Sequence, residues 1–484
     1  MNGVRDSFCK LSFSPPLVLR GRVRVGVSWV NRRSTVEDKP STPTPTLPLS
    51  TRGGENSLGQ VTRTRMNGSL GLAAAFLGAL LLGAAAARAD SIASTQTSVQ
   101  PNTKSGPDFS GKLTGDWFGA RRKLADAGVT IGADLVLEGF DNFQGGLDTA
   151  RADGATTFDL NFTFDMEKLA KIHGGEFYVD VEDHAFRDPT TALVGDLQVF
   201  DKLNASPYLQ IFEAWYQQTL LNGALRLKIG KVDANSEFCV IDNGLPFLNS
   251  STQVSPTIFM MPTTPDPMPS INAFFTPTDW FFAGVGAYYA NRSDRFGDLV
   301  DDPASVQPTR FGTFIIGETG LQWHGTPLLD FPGNLKVGAW GHTGTFQKFD
   351  GTQSDGAQGM YAVFDQTLFQ PPGENDSDRG LRMFAEYGLT QPDINPIDQH
   401  VGIGFTDTGP DISFPHDTLG ISAQYAHISH EAGLRYPYEL AIEGFDRHPI
   451  TPWASIQPDL QYVIHSGGKL PDALVLTLRL ELDF

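Results

Sequence analysis

Apolar and polar residues alternate strictly along the last eleven residues of the chain. The apolar residues occupy every second position: Leu474, Leu476, Leu478, Leu480, Leu482 and Phe484. The intervening positions begin at Val475 and end in three charged residues, Arg479, Glu481 and Asp483. This period of two predicts a strand with one apolar and one polar face. Such a strand fits a soluble sheet, but a tilted strand of about ten residues also spans a bilayer. Lipid outside and water inside is the arrangement of a transmembrane barrel.

The same alternation recurs through the interior of the chain. Residues 158–167, 177–182, 225–230 and 381–388 each present one apolar face and one mostly polar face, with Phe384 as the clearest exception. Turn signals rich in Gly and Asn separate such runs. At roughly 20–25 residues per strand and its connections, residues 90–484 accommodate roughly 16–18 strands. The predicted fold is therefore all-β, a transmembrane antiparallel up-and-down β-barrel.

The N-terminal region predicts a secreted protein. An uncharged run rich in Ala and Leu, Leu70–Ala87, precedes the small-x-small sequence Ala87-Arg88-Ala89. This layout predicts a signal peptide over 66–89, a flexible mature N-terminus over 90–112 and a barrel over 113–484. Residues 1–65 do not fit this plan. We predict that translation starts at Met66 and that 1–65 is an upstream extension; the alternative is a disordered leader.

The predicted mature chain is strongly acidic. Residues 1–89 hold 12 of the 36 basic and 4 of the 55 acidic residues, so residues 90–484 hold 24 basic and 51 acidic residues, a net charge of −27. This balance argues against nucleic-acid binding and against an anion-selective channel. Cys239 is the only cysteine in that part of the sequence, which excludes an intramolecular disulfide and a cysteine metal cluster there. We expect no cofactor and no metal.

Two segments depart from the strand pattern. Residues 116–127 predict a short N-terminal helix that ends before Gly128. The segment Leu245–Phe275 contains six prolines and a single charged residue, Asp266. A loop in free contact with water should be more polar, so we predict that this segment folds inward and narrows the barrel. The alternative is a long surface loop with an apolar patch for a partner.

Several motifs resemble the carbohydrate-selective porins of the OprB type. They are Leu113–Arg121, Leu124–Gly128, Gly230–Phe238, Phe247–Ser251, Asn395–Asp398, Asp417–Ile421, Thr451–Trp453, Gln457–Val463 and the final strand. The resemblance runs from about residue 110 to residue 484. It implies a 16-stranded outer-membrane barrel that passes glucose and related sugars by diffusion.

Alternation assigns candidate residues to the lumen. The pore-lining candidates are Asp180, Glu182, Glu213, Trp215, Arg226, Lys228, Arg382 and Glu386, and those of the constriction loop are Asn249, Ser250 and Ser251. Carboxylates accept hydrogen bonds from sugar hydroxyls and arginines donate them. An aromatic ring such as that of Trp215 offers a flat apolar surface to a sugar ring. For any single charged candidate, the favoured interpretation is a solvated lumen charge in the network of ion pairs that holds the barrel.

Three functions remain open at this stage. One is a sugar-preferring diffusion porin in the outer membrane of a Gram-negative bacterium. The acidic composition favours a general or cation-preferring porin, and a secreted soluble β-protein that binds or cleaves carbohydrate is the third. The sequence contains no Gly-rich phosphate loop and no Gly-x-Ser-x-Gly elbow, so we predict that the protein is not an enzyme. The expected partners are small sugars, outer-membrane lipid and the barrel-assembly machinery, with the protein as a monomer or homotrimer.

Overall fold

The computed structural model describes residues 109–186, 188–290, 308–310, 312–324, 331–371, 378–410 and 416–484. The predicted leader, the predicted signal peptide and residues 90–108 lie outside the described residues. From Phe109 onward the chain contacts the barrel, where Lys112 forms an ion pair with Asp483.

The described strands form one closed antiparallel sheet in which each strand pairs with its neighbours in sequence. The strands are β1 Val129–Gln144, β2 Ala152–Asp165, β3 Gly175–Phe186, β4 Tyr208–Leu220, β5 Leu225–Val232, β6 Met268–Thr278, β7 Phe281–Ala290, β8 Pro308–Arg310, β9 Gly312–Trp323, β10 Gly333–Gln347, β11 Gln353–Phe369, β12 Gly380–Thr390, β13 Ile397–Thr408, β14 Thr418–Ile428, β15 Tyr438–Thr451, β16 Ala454–Ile464 and β17 Ala473–Asp483. Strands β8 and β9 both pair with β10, one after the other, which gives a barrel of 16 strands. Pairing of β1 with β17 closes it, with Glu138 opposite Arg479. The predicted fold class is confirmed.

Helices are short in the described part of the chain. They are α1 Ala120–Asp126, α2 Met166–Ala170, a π-helical turn at Thr190–Val194, and 3₁₀ turns at Trp117–Gly119, Leu221–Gly223, Ala234–Ser236, Asp242–Gly244, Ser250–Thr252, His430–Ala432 and Ser466–Gly468. The predicted N-terminal helix is confirmed as α1 with the preceding 3₁₀ turn. It ends before Gly128, whose φ of +100° favours glycine. Among the described residues no helix is long and apolar enough to cross a membrane.

The two faces of each strand have different surroundings. On β17, Leu478 is 48% exposed on the outer surface whereas Arg479 is 3% exposed inside the barrel. The rim where β1 begins and β17 ends carries short connections such as 221–224 and 452–453, and the opposite rim carries 188–207 and 233–267. Short turns lie on the periplasmic side of outer-membrane barrels, so the long connections lie on the outer side.

The largest apolar cluster among the described residues lies inside the barrel. Inward-facing residues of β4 to β15, many of them aromatic, form it together with residues of the connection 233–267. Glycines on neighbouring strands make room for these rings. A Cβ on Gly404 would lie 2.2 Å from the Phe384 ring, and one on Gly420 would lie 2.1 Å from the Phe445 ring. Glycine is therefore required at both positions.

Candidate functional site

All eight predicted pore-lining residues occupy inward-facing strand positions, but they form separate groups. Strands β3 and β4 carry Asp180, Glu182, Glu213 and Trp215; β5 carries Arg226 and Lys228; and β12 carries Arg382 and Glu386. The register places Asp180 directly opposite Glu213, and Tyr178 opposite Trp215. Glu386 is only 4% exposed and lies 3.7 Å from His400. It is therefore buried in the wall rather than open to the lumen.

The connection between β5 and β6, residues 233–267, crosses the interior of the barrel and is called the crossing loop below. Its boundaries differ from the predicted ones. The sequence pattern placed the segment at Leu245–Phe275, but Met268–Phe275 belongs to β6 and the loop begins at Asp233. The predicted constriction residues lie inside this loop, and Asn249 and Ser251 are buried.

Carboxylates on the barrel wall hold the backbone of the crossing loop. The carboxylate of Glu443 on β15 accepts hydrogen bonds from the Leu248 and Asn249 amides at 2.5 and 3.3 Å. On β11, the carboxylate of Asp365 accepts from the Asp242 and Asn243 amides at 3.2 and 2.9 Å. Charge-assisted hydrogen bonds are stronger than neutral ones, so each carboxylate anchors one part of the loop.

Two further carboxylates complete this set of anchors. Glu318 on β9 accepts from the Cys239 amide at 2.8 Å, and Glu213 on β4 accepts from the Asp233 amide at 2.7 Å. The four anchors lie on β4, β9, β11 and β15. The crossing loop is thus held from one side of the barrel to the other.

Apolar side chains of the crossing loop pack against the aromatic wall. The Phe247 ring contacts the rings of Phe384 and Phe445 edge to face, with centroids 5.6 and 4.9 Å apart. Phe259 packs in the same way against Trp340 at 5.2 Å. Phe384, which broke the alternation in the sequence, therefore faces inward because the loop covers it.

An ion-paired carboxylate fixes the start of the crossing loop. Glu237 forms ion pairs with Lys228 and with Arg226, the latter at 2.7 Å between Oε2 and Nη2. Burial alone would raise the pKa of Glu237, but the positive charges of Lys228 and Arg226 lower it below its usual value. Two predicted pore-lining cations thus bind one carboxylate of the loop.

A second inward loop was not predicted. Residues 188–207, between β3 and β4, are called the second loop below. The Leu197 and Gln198 amides donate to the Glu439 carboxylate of β15 at 2.9–3.1 Å, and Phe200 packs against Phe140 of β1. Burial, and then the neighbouring Glu439, raise the pKa of Asp196 in this loop. The second loop uses the same kind of anchor as the crossing loop.

Strands β1 to β4 carry a group of five inward-facing carboxylates, called the acidic wall below. Its members are Asp134, Asp159, Asp180, Glu182 and Glu213. Asp134 lies opposite Asp159, and Asp159 lies opposite Glu182 on the next strand. Asp134 is exposed and Asp159 is partly exposed. This part of the wall therefore faces the open lumen.

An aromatic pair adjoins the acidic wall. Tyr178 stacks on Trp215 with centroids 4.9 Å apart and planes inclined by 22°, and Lys228 Nζ lies 3.9 Å from the Trp215 ring centroid. Trp215 faces inward as expected, yet it is only 8% exposed because these neighbours cover it. The more accessible ring is that of Tyr178, which was not among the predicted site residues although it precedes Asp180 by two positions.

Comparison with known proteins identifies the family. The family model described as carbohydrate-selective porin, OprB family, matches residues 150–484, more than half of the chain. This protein belongs to the OprB family of carbohydrate-selective porins. Porin B of Pseudomonas aeruginosa is 24% identical over 459 residues, which cover 84% of this chain and 96% of that protein.

Solved structures of OprB share the fold. The high-pH structure of Pseudomonas putida OprB is 20% identical, has a TM-score of 0.68, and covers 79% of this chain and 100% of that one. The low-pH structure of the same protein, at 20% identity, has a TM-score of 0.51 and covers 78% and 100% of the two chains. This OprB-family protein is thus an outer-membrane sugar porin of a Gram-negative bacterium, a channel rather than an enzyme. The soluble β-protein alternative is thereby excluded.

Proposed function

We propose that small neutral sugars such as glucose diffuse through the space between the crossing loop and the acidic wall. The observation that carries this proposal is the crossing loop itself, whose amides are held by carboxylates on β4, β9, β11 and β15. The loop covers the aromatic half of the wall and leaves Asp134 of β1 and Asp159 of β2 facing the lumen. Its residues Asn249, Ser250 and Ser251 belong to the segment that narrows the passage.

The groups along this passage suit a sugar that binds weakly. Asp134 and Asp159 offer carboxylate oxygens as acceptors for hydroxyl groups, and Tyr178 offers an apolar ring face for the pyranose ring. A channel requires binding weak enough for release, which a few hydrogen bonds and one stacking surface provide.

Liposome swelling tests the proposal. Proteoliposomes should swell faster in glucose than in a disaccharide or a neutral amino acid at equal osmolarity. Tyr178→Leu should reduce the preference for glucose because the stacking surface is lost, whereas Tyr178→Phe should retain it as the matched control. Equal swelling rates for glucose and the amino acid would contradict a sugar preference.

A general or cation-preferring porin is the second candidate, favoured by the net charge of −27 over residues 90–484. The reversal potential of a KCl gradient distinguishes the two. A strong cation preference combined with no discrimination among neutral solutes favours the second candidate. Recognition of the final strand by the barrel-assembly machinery and the choice between monomer and homotrimer stay predictions.

A further inference from the structure

We propose that the acidic wall binds a protonated amino sugar and favours its passage over that of the corresponding neutral sugar. The proposal rests on the proposed function, because it assumes that sugars travel along β1 to β4. It adds a solute class that the sugar-porin function alone does not specify.

The register concentrates negative charge on this wall. Asp134, Asp159 and Glu182 occupy directly opposite positions on three neighbouring strands, and Asp180 lies opposite Glu213. Opposite positions in a sheet place Cβ atoms about 4.5–5.5 Å apart, and like charges there are destabilising. A cation bound between them would relieve this repulsion.

The acidic wall lacks the partners that neutralise charge elsewhere in the lumen. Lys228 pairs with Glu237, and Lys336 pairs with Asp242 at 2.9 Å. Among the described residues, by contrast, none within 4.0 Å forms an ion pair with any of the five carboxylates. Glu182 and Glu213 accept hydrogen bonds from the Tyr208 hydroxyl and the Asp233 amide. The exposed Asp134 and Asp159 therefore direct negative charge into the lumen, where a charged cleft concentrates cations.

Two buried polar atoms at this wall have no hydrogen-bond partner. Asp180 is 7% exposed and its Oδ1 atom is unpartnered, and the same holds for Nε1 of the adjoining Trp215. Buried polar atoms normally have a partner. The acceptor on β3 and the donor on β4 occupy diagonal positions of the register, and a ligand that carries both kinds of group would satisfy them.

The neighbouring residues favour an amino sugar over a metal ion. Within the described part of the chain, no group of three or more His, Cys, Asp or Glu side chains is arranged to hold a metal ion. An ammonium group has three donors that several carboxylates can share. Tyr178 lies two positions before Asp180 on the same face of β3, so its ring can stack on the sugar ring while the carboxylates bind the amine.

Current block in planar bilayers tests this proposal on the intact barrel. Glucose, N-acetylglucosamine, glucosamine hydrochloride and ethanolamine are titrated at 0.1 M KCl, and the half-blocking concentration of each is measured. Glucosamine should block at a concentration about fivefold lower than N-acetylglucosamine, since a charge pair near 4 Å contributes on this scale even in water. The difference should shrink at 1 M KCl, where the Debye length falls to about 3 Å.

Matched variants assign the effect to the wall. Asp134→Asn combined with Asp159→Asn should abolish the glucosamine preference. Asp279→Asn combined with Asp350→Asn, at exposed positions in connections outside the strands, removes the same charge and should retain it. Heat-modifiable gel mobility verifies folding of each variant. If the wall double variant does not assemble, Asp134→Asn alone, at an exposed position, should lower the preference.

Each result decides one question. Equal block by glucosamine and N-acetylglucosamine overturns the proposal, as does a preference that survives in the wall variant. Block by ethanolamine at the glucosamine concentration also overturns it, because the wall would then be a general cation site. Loss of glucose permeation in liposome swelling would instead contradict the proposed function, whereas normal swelling with no amine preference contradicts only this inference.

Discussion

The two halves of the lumen wall carry the same type of residue in different surroundings. On β9, β11 and β15, the carboxylates of Glu318, Asp365 and Glu443 lie under the crossing loop and accept its backbone amides. On β1 and β2, Asp134 and Asp159 face the lumen without such contacts. Net charge alone therefore does not describe the field in the pore, since part of the negative charge serves to hold the loops.

Excision of the crossing loop should produce the largest effect. Replacing residues 245–260 by a short Gly-Ser linker should raise the single-channel conductance severalfold and admit larger sugars, because irregular backbone at membrane depth must pack on protein or line water. Single-channel recording and liposome swelling with sugars of increasing size measure the two effects. The glucosamine preference proposed for the acidic wall should persist, since no hydrogen bond or ion pair joins the excised residues to Asp134 or Asp159 in the described part of the chain.

Excision of an exposed connection is the control for this experiment. Shortening the β10–β11 connection, residues 348–352, removes backbone at the same rim and should leave the conductance at the parent value. A loop-excised barrel with the parent conductance and the parent size limit would show that the crossing loop does not restrict the passage.

Removing one anchor should have a smaller effect that separates the two roles of a buried carboxylate. Glu318→Leu removes the acceptor for the Cys239 amide and the Tyr361 hydroxyl and should destabilise the docked loop by about 1–3 kcal/mol. Glu386→Leu is the matched control, because neither Oε atom of Glu386 has a hydrogen-bond partner. Its replacement should be neutral or stabilising.

The temperature at which the heat-modifiable band converts, together with the open-channel current noise, measures this difference. Glu318→Leu should lower the temperature and raise the noise, whereas Glu386→Leu should do neither. Equal behaviour of the two variants would mean that carboxylate–amide contacts do not anchor the loop.

Local sequence pattern predicted the strands and their faces but not the loop contacts. Alternation along residues 158–167 and 474–484 assigned the outward and inward sides because the side-chain period of a strand is two. The apolar, proline-rich composition near Phe247 indicated an inward loop, because apolar side chains pack away from water. The same property explains why this segment is buried in the structure. The start of that loop at Asp233 was missed, because the short apolar run Phe238–Ile241 lies between polar residues and directly follows the strand pattern of β5.

The second loop and the accessible aromatic residue could not be predicted from local pattern. Glu439 accepts a hydrogen bond from the amide of Leu197, which lies 242 positions away in the sequence. No periodic signal connects two such distant residues. Tyr178 lies between the apolar residues Phe177 and Val179 and belongs to the polar face of β3. Its inward orientation was therefore predictable. Its greater exposure relative to Trp215 depends on Lys228 and on the crossing loop, which only the tertiary structure reveals.

Acid should have the smallest of these effects. It should weaken the attachment of the crossing loop by protonating Glu237, the loop's own carboxylate. The pKa of Glu237 is below its usual value because Lys228 and Arg226 outweigh the effect of burial. A carboxylate whose pKa is lower in the folded than in the unfolded state stabilises the folded state. This stabilisation is fully present above the pKa of the unfolded chain, about 4.3. This contribution is lost as the pH falls through the folded-state pKa. Single-channel conductance of the wild type, recorded from pH 7 to pH 3, should therefore include a change below about pH 4 that comes from Glu237. Glu237→Gln, which lacks the titrating group but keeps an acceptor for Arg226, should show the altered conductance already at pH 7 and no further step from this site. A step of the same size in Glu237→Gln would assign the acid response to the wall carboxylates instead.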